Sequence, residues 1–92
     1  MHRSRYRGHV TRYEDGKFEI YTQWKEEVYY QEGDQRLSFP AGWGVSPPTL
    51  YVPSVRIWDA VMPEWLRGRR AQVVARLAKH SEHVLEDTED WP

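Results

Sequence analysis

The chain has 92 residues, 13 Lys+Arg against 14 Asp+Glu, a net charge of −1 and no cysteine. That length supplies one domain, residues 1–92, and no second core. Without cysteine, neither a disulfide framework nor a thiolate zinc site can staple it, and the strongly basic footprint of a nucleic-acid binder is missing from the whole.

A chain this small buries only roughly 63–65% of the surface its unfolded form exposes, so its core is thin. Five Trp, six Tyr and two Phe partly answer that shortage. The opening stretch, "MHRSRYRGHV", carries cations with no apolar segment behind them and does not read as a secretory signal. No apolar run approaches the ~18–20 residues that span a bilayer. With cysteine absent, the composition suits a reducing cytoplasm. Arg3, Arg5, Arg7 and Arg12 load the N-terminus, while Glu82, Glu86, Asp87, Glu89 and Asp90 load the C-terminus. Two solvated, oppositely charged ends that lie near one another are the expectation, with residues 1–5 and 88–92 frayed.

The first structured element is signalled by "RYEDGKFEI". Asp15-Gly16 between alternating segments suits a two-residue type I′ hairpin, because both central residues need positive φ. Glu14 and Lys17 would face each other across it. On the second strand Phe18, Ile20, Thr22 and Trp24 share one face, and Glu19, Tyr21 and Gln23 the other. A second hairpin follows in "EEVYYQ", a turn at "EGDQ", and "RLSF" with Leu37 and Phe39 on one face. The break between Trp24 and Val28 carries no Gly or Pro to mark it.

Then comes "FPAGWGVSPPTLYVP", residues 39–53. Trp43 stands between two glycines in a loop whose wider freedom Pro40, Pro47 and Pro48 restrict. The indole is either a plug for a core short of volume or an anchor presented to a partner. "TLYVP" reads as a further strand, stopped by Pro53.

Ser54 can cap a short turn, "SVRIWD". Pro63 suits the first position of a helix that runs to about His80, with Leu66, Val73, Val74 and Leu77 at helical spacing. Gly68 means either that the first turn packs closely or that the helix firms up after it. "HVLED" offers a last strand and "TEDWP" a frayed end. The expected fold is α+β: an antiparallel β-meander of four to five strands with one C-terminal amphipathic helix packed on one face. Its expected core is Phe18, Ile20, Val28, Leu37, Leu50, Val52, Trp58, Leu66, Val74 and Leu77.

Catalytic chemistry has no visible constellation. "GWG" runs into "VSPP", which cannot open a helix and so forms no phosphate cradle. The serines lack an elbow context, and no carboxylate pair is marked as asymmetric in the way acid/base work requires. His80 and His83, spaced i, i+3, could share a metal with Glu82 or Glu86; a helix-end cation role is the simpler reading. No catalytic, cofactor or metal site is expected. The helix polar face aligns Arg69, Arg76, Lys79, His80 and His83, with Arg67 and Arg70 nearby. It serves either an acidic or phosphate-bearing partner or, more simply, as a solvated back that receives the acidic tail. No aromatic platform shares the stripe, which ranks nucleic acid second.

The succession "EVYYQEGDQRLSF", "TLYVPSVRIWDAVMP" and "RRAQVVARLAKH" resembles a pattern in small bacterial α+β proteins, some of them grouped as immunity proteins of polymorphic toxin systems. The resemblance spans about residues 26–85 and rests on Tyr30, Glu32 and Gly33, on Trp58-Asp59 with Pro63, and on Arg69-Arg70. It implies a compact protein that acts by binding another protein, and it assigns no site residue. The expectation is therefore a non-enzymatic, immunity-like interaction protein without cofactor, a monomer or weak homodimer. Trp43, Arg69, Arg76 and Lys79 are its candidate contact residues. The alternative is a nucleic-acid-binding module that uses the basic helix face.

Overall fold

A computed structural model describes residues 10–13, 17–24, 26–42 and 47–91. Alternating residues build strands β1 (Val10–Tyr13), β2 (Phe18–Trp24), β3 (Glu27–Glu32) and β4 (Gln35–Gly42), each antiparallel to the one before. β5 (Thr49–Pro53) continues antiparallel on β4, and β6 (Val84–Thr88) completes a six-stranded sheet in the order of the chain. Between β5 and β6 lie a short helix α1 (Trp58–Val61), a 3-10 turn at Glu64–Leu66 and helix α2 (Arg70–His80).

The α+β class holds, but the sheet is mixed. β6 runs parallel to β5, with Leu50 opposite Leu85 and Val52 opposite Asp87. A parallel neighbour cannot follow a tight turn; it needs a crossover of a dozen or more residues, and residues 54–83 provide it. The helix is consequently not the C-terminal element. Its apolar side is also narrow: Val73 and Leu77 are fully buried, Val74 is half-buried, and Ala71, Ala75 and Ala78 are exposed.

α2 begins seven residues after Pro63 because Gly68 sits at φ +74°. An L side chain rarely adopts that conformation, so the chain turns once there, with Gly68 N–H donating to Asp59 Oδ1 at 2.8 Å, before the helix starts. Ser54 does not cap α1 with its hydroxyl. Its carbonyl accepts from Ile57 and Trp58, while its hydroxyl donates to Glu89.

Register explains β4. Residues Gln35–Pro40 pair with β3 and Ala41–Gly42 with β5. Pro40 has no N–H to give a ladder, and the strand changes neighbours there, Ala41 N–H still reaching Glu26 O at 2.8 Å. The loop expected after Phe39 therefore starts later than its prolines suggested. Trp43 lies outside the described residues. So does the Asp15-Gly16 turn.

The helices cover one sheet face. Phe18, Ile20, Val28, Tyr30, Phe39, Ala41, Leu50 and Val52 meet Trp58, Met62, Leu66, Val73 and Leu77 there. Leu37 and Val74, expected inside, pack against the edge of this cluster, while Tyr30, Phe39, Met62 and Val73 take central places. Trp58 can be fully buried because its indole Nε1–H donates to Leu66 O at 2.8 Å.

The end of the chain that the sequence leaves as a frayed tail places Trp91 on the core. The Trp91 ring lies 5.5 Å from that of Phe39, tilted by 58°. Glu89 is forked by Arg56 at 3.0 and 2.6 Å, and this pairing holds its carboxyl below the usual range. β1 and β6 form opposite edges of the sheet; Arg3, Arg5 and Arg7 of the charged N-terminal end lie outside the described residues. The acidic strand meets cations of the crossover, Asp87 with Arg70 and Glu89 with Arg56. Among the described residues no helix is long and apolar enough to cross a membrane.

Candidate interaction face and the arginine clamp

Successive side chains of a strand point to opposite faces, and β3 uses both. Tyr30 and Glu32 face the helices; Tyr29 and Gln31 face away from them. Each side assembles its own cluster around arginines.

On the helix side, Glu32 gathers Arg69 and Arg76, which lie two helical turns apart. Arg69 Nη1 and Nη2 donate to Glu32 Oε1 and Oε2 at 2.9 and 2.6 Å. This fork is the strong, orientation-fixing form of the ion pair. Arg69 also holds Trp65 O and the side chain of Gln72. Arg76 Nη1 donates to the Tyr30 hydroxyl at 2.7 Å and to Glu32 Oε2 at 3.3 Å, while its guanidinium carbon stands 4.2 Å from the Phe18 ring centroid. The Tyr30 hydroxyl donates to Glu32 Oε2. Its ring is stacked with those of Phe18 and Trp65.

These contacts set the protonation of the cluster. Burial, followed by the hydrogen bond to Glu32, pushes the Tyr30 phenol up to about 12. Burial works against the Glu32 carboxylate as well. The hydrogen bonds from Arg69 and Tyr30 and the charges of Arg69 and Arg76 outweigh it, holding Glu32 below its ordinary range. Hydrogen bonding to Glu32 raises Arg69 further. The cluster is thus a closed clamp: its carboxylate stays charged, its phenol stays protonated, and the donors named here are spent on neighbours within the fold.

That accounts for two of the four contact residues the sequence suggested. Arg69 and Arg76 turn back onto the sheet instead of lining an open stripe; Lys79 is exposed, and Trp43 falls outside the described residues. The His80 ring packs tilted on Phe18, 5.9 Å between centroids, and His83 Nδ1 lies 2.7 Å from Ser81 O. Among the described residues no three His, Cys, Asp or Glu side chains converge to hold a metal.

The opposite sheet face carries the cluster that sequence reasoning missed. Tyr21 and Tyr29 face each other across β2 and β3 with rings 5.3 Å apart and within 7° of parallel. Arg36 of β4 places its guanidinium carbon 4.9 Å from the Tyr29 centroid and donates from Nη1 to the Tyr21 hydroxyl at 3.1 Å. Tyr21 in turn donates to Gln31 Oε1 at 2.7 Å, and Gln31 Nε2 to Gly33 O at 2.8 Å. The Tyr29 hydroxyl donates to Glu27 at 2.8 Å, which raises its pKa. The hydrogen bond to Tyr21 likewise raises that of Arg36. Tyr21 is buried beneath this arrangement, Tyr29 is half-buried and Arg36 is exposed. Tyr51 shares the same face on β5 and lies over Gly42, where an added Cβ would meet its hydroxyl at 3.6 Å. A signal was present in the sequence: of two adjacent tyrosines in a half-buried strand, one must face away from the core.

Comparison of the chain with protein-family models, with curated proteins and with solved structures returns no match. Function is therefore argued from the site itself.

Proposed function

We propose that this chain is a small non-enzymatic binding protein that recognises another protein through the face of its sheet opposite the helices. One observation carries the reading: the Arg36–Tyr29–Tyr21 stack stands on the face opposite the helical crossover. Tyr and Arg are the residues most enriched among interface positions that dominate binding energy. Here they are already ordered by stacking and by a chain of hydrogen bonds ending on Gly33 O. A side chain held in place before binding loses little entropy on contact. The resemblance to immunity proteins, which act by binding, points the same way.

The nucleic-acid reading ranks below it. Single-strand binders offer ring faces on which bases stack. In this cluster Tyr21 and Tyr29 use their facing sides on each other, and Arg36 stands over Tyr29. Arg69 and Arg76, which a nucleic-acid surface would need, are held by Glu32 and Tyr30. On this reading the protein works in the cytoplasm without a cofactor, as a monomer or weak homodimer.

The test is co-expression with the products of neighbouring genes, followed by measurement of the Kd of the complex for the parent and for Tyr29→Ala and Arg36→Ala. The reading expects each substitution to weaken binding by about 2 kcal/mol or more, with a thermal midpoint unchanged for Arg36→Ala and modestly lowered for Tyr29→Ala, which loses its stack on Tyr21. Full-strength binding by both variants would contradict it.

A further inference from the structure

Arg36 differs from four arginines of the crossover in what it lacks. Arg56, Arg69, Arg70 and Arg76 each reach a carboxylate oxygen, at 2.6, 2.6, 2.8 and 3.3 Å. Among the described residues Arg36 reaches none; its contacts are the Tyr21 hydroxyl and the Tyr29 ring. Among the described residues the guanidinium is therefore exposed, oriented and without a counter-ion. Nη1 is committed to Tyr21, which leaves the edge formed by Nε and Nη2. That edge matches the two oxygens of one carboxylate, a geometry that lysine cannot reproduce.

We infer that the group seated on Arg36 is a single carboxylate presented by a protein partner, an inference that rests on the interaction reading above. Charge on the same face selects a carboxylate over a polyanion. Strand alternation places Glu27 and Glu86 on that side of the sheet. A nucleic-acid strand carries a phosphate every few ångströms and would bring its neighbours against these glutamates. One carboxylate framed by basic side chains meets the guanidinium at the centre and the glutamates around it. The complementary surface is an Asp or Glu flanked by Lys or Arg.

The test uses the intact protein with isotope-labelled arginine and follows the Arg36 Nε–Hε resonance. Three probes are titrated: acetyl-Lys-Asp-Lys-amide, its counterpart acetyl-Lys-Asn-Lys-amide, and a short oligothymidine. The Asp peptide is expected to shift Arg36 saturably and about tenfold more tightly than either other probe, as a charge-assisted fork requires. Arg36→Lys, at an exposed position, is expected to fold normally and to lose that preference. Equal response to the Asp and Asn peptides, or tighter binding of oligothymidine, would overturn the inference. So would a resonance that moves with protein concentration alone, since the occupant would then be a second copy of the chain. A partner obtained by co-expression separates the two levels. Unchanged affinity on Arg36→Ala together with loss on Tyr29→Ala removes the carboxylate anchor and leaves the interaction reading standing.

Discussion

Tyr29 and Tyr30 are neighbours in β3, and each sits beside an arginine, yet the fold uses them in opposite ways. Tyr30 is fully buried under the helices, its hydroxyl donating to Glu32 and accepting from Arg76. Tyr29 is half-buried beneath Arg36, whose guanidinium remains exposed. The Tyr30 side encloses its arginines and spends their donors within the molecule. The Tyr29 side orders an arginine and leaves part of it for something else. The same residue pair thus stabilises the fold in one place and, on the proposed reading, prepares a contact in the other, and the two effects should come apart on substitution.

The largest effect belongs to the helix side. Leu77 is fully buried, so Leu77→Ala should cost about 2–5 kcal/mol, enough to unfold much of a marginal domain. Denaturant titration measures it; a loss below 1 kcal/mol would remove Leu77 from the core. Glu32→Ala comes next. It leaves Arg69 and Arg76 without their carboxylate in a partly buried place and should cost about 2–3 kcal/mol, somewhat less than a fully buried pair because Arg69 keeps access to water. Glu32→Gln tests whether charge matters beyond hydrogen bonding.

The clamp should also show in pH. Glu32 titrates below its ordinary value in the folded state, so its contribution is full above the unfolded carboxylate pKa of about 4.3 and fades as pH falls through the lower, folded value. Tyr30 moves the other way, up to about 12. Its contribution is full below an unfolded pKa of about 10 and is lost as pH rises from there toward the folded value. Tyr30→Phe should flatten the alkaline limb of a plot of melting temperature against pH. A limb that keeps its slope would deny the phenol that role.

The smallest effect lies at the end of α2. Glu82 holds φ +65° directly after the Ser81 cap, a position at which glycine is usual. Glu82→Gly should stabilise by about 0.5–1 kcal/mol by removing the Cβ penalty, visible as a small rise in denaturant midpoint. A fall would mean that the Glu82 side chain contributes more than its backbone costs.

Much of the sheet was legible along the chain because strand alternation is local. Phe18 and Ile20 declared the core face of β2, and "EGDQ" declared the β3–β4 turn at Gly33. The direction of β6 was not legible, since "HVLED" pairs with either orientation until the crossover places it beside β5. The helix start moved because Gly68 resolves by its φ, which composition does not reveal. The clamp joins Glu32 to residues 37 and 44 positions away, beyond any periodicity, and so its arginines looked like an open stripe. The Tyr29–Arg36 stack depends on register across β3 and β4, where Gln31 faces Arg36 and Tyr29 faces Ser38. Only that pairing brings an arginine in a strand written "RLSF" over a tyrosine seven residues before it.

The most direct measurement compares Arg36→Ala with Glu32→Ala, recording for each the unfolding free energy and the Kd for the co-expressed partner. Arg36→Ala should change stability by no more than about 0.5 kcal/mol while weakening binding by about 2 kcal/mol. Glu32→Ala should lose stability, and its fraction that remains folded should bind as the parent does. If Arg36→Ala instead destabilises the fold as much as Glu32→Ala and leaves the affinity of the folded fraction unchanged, the two faces of the sheet do not divide the work of stability and recognition.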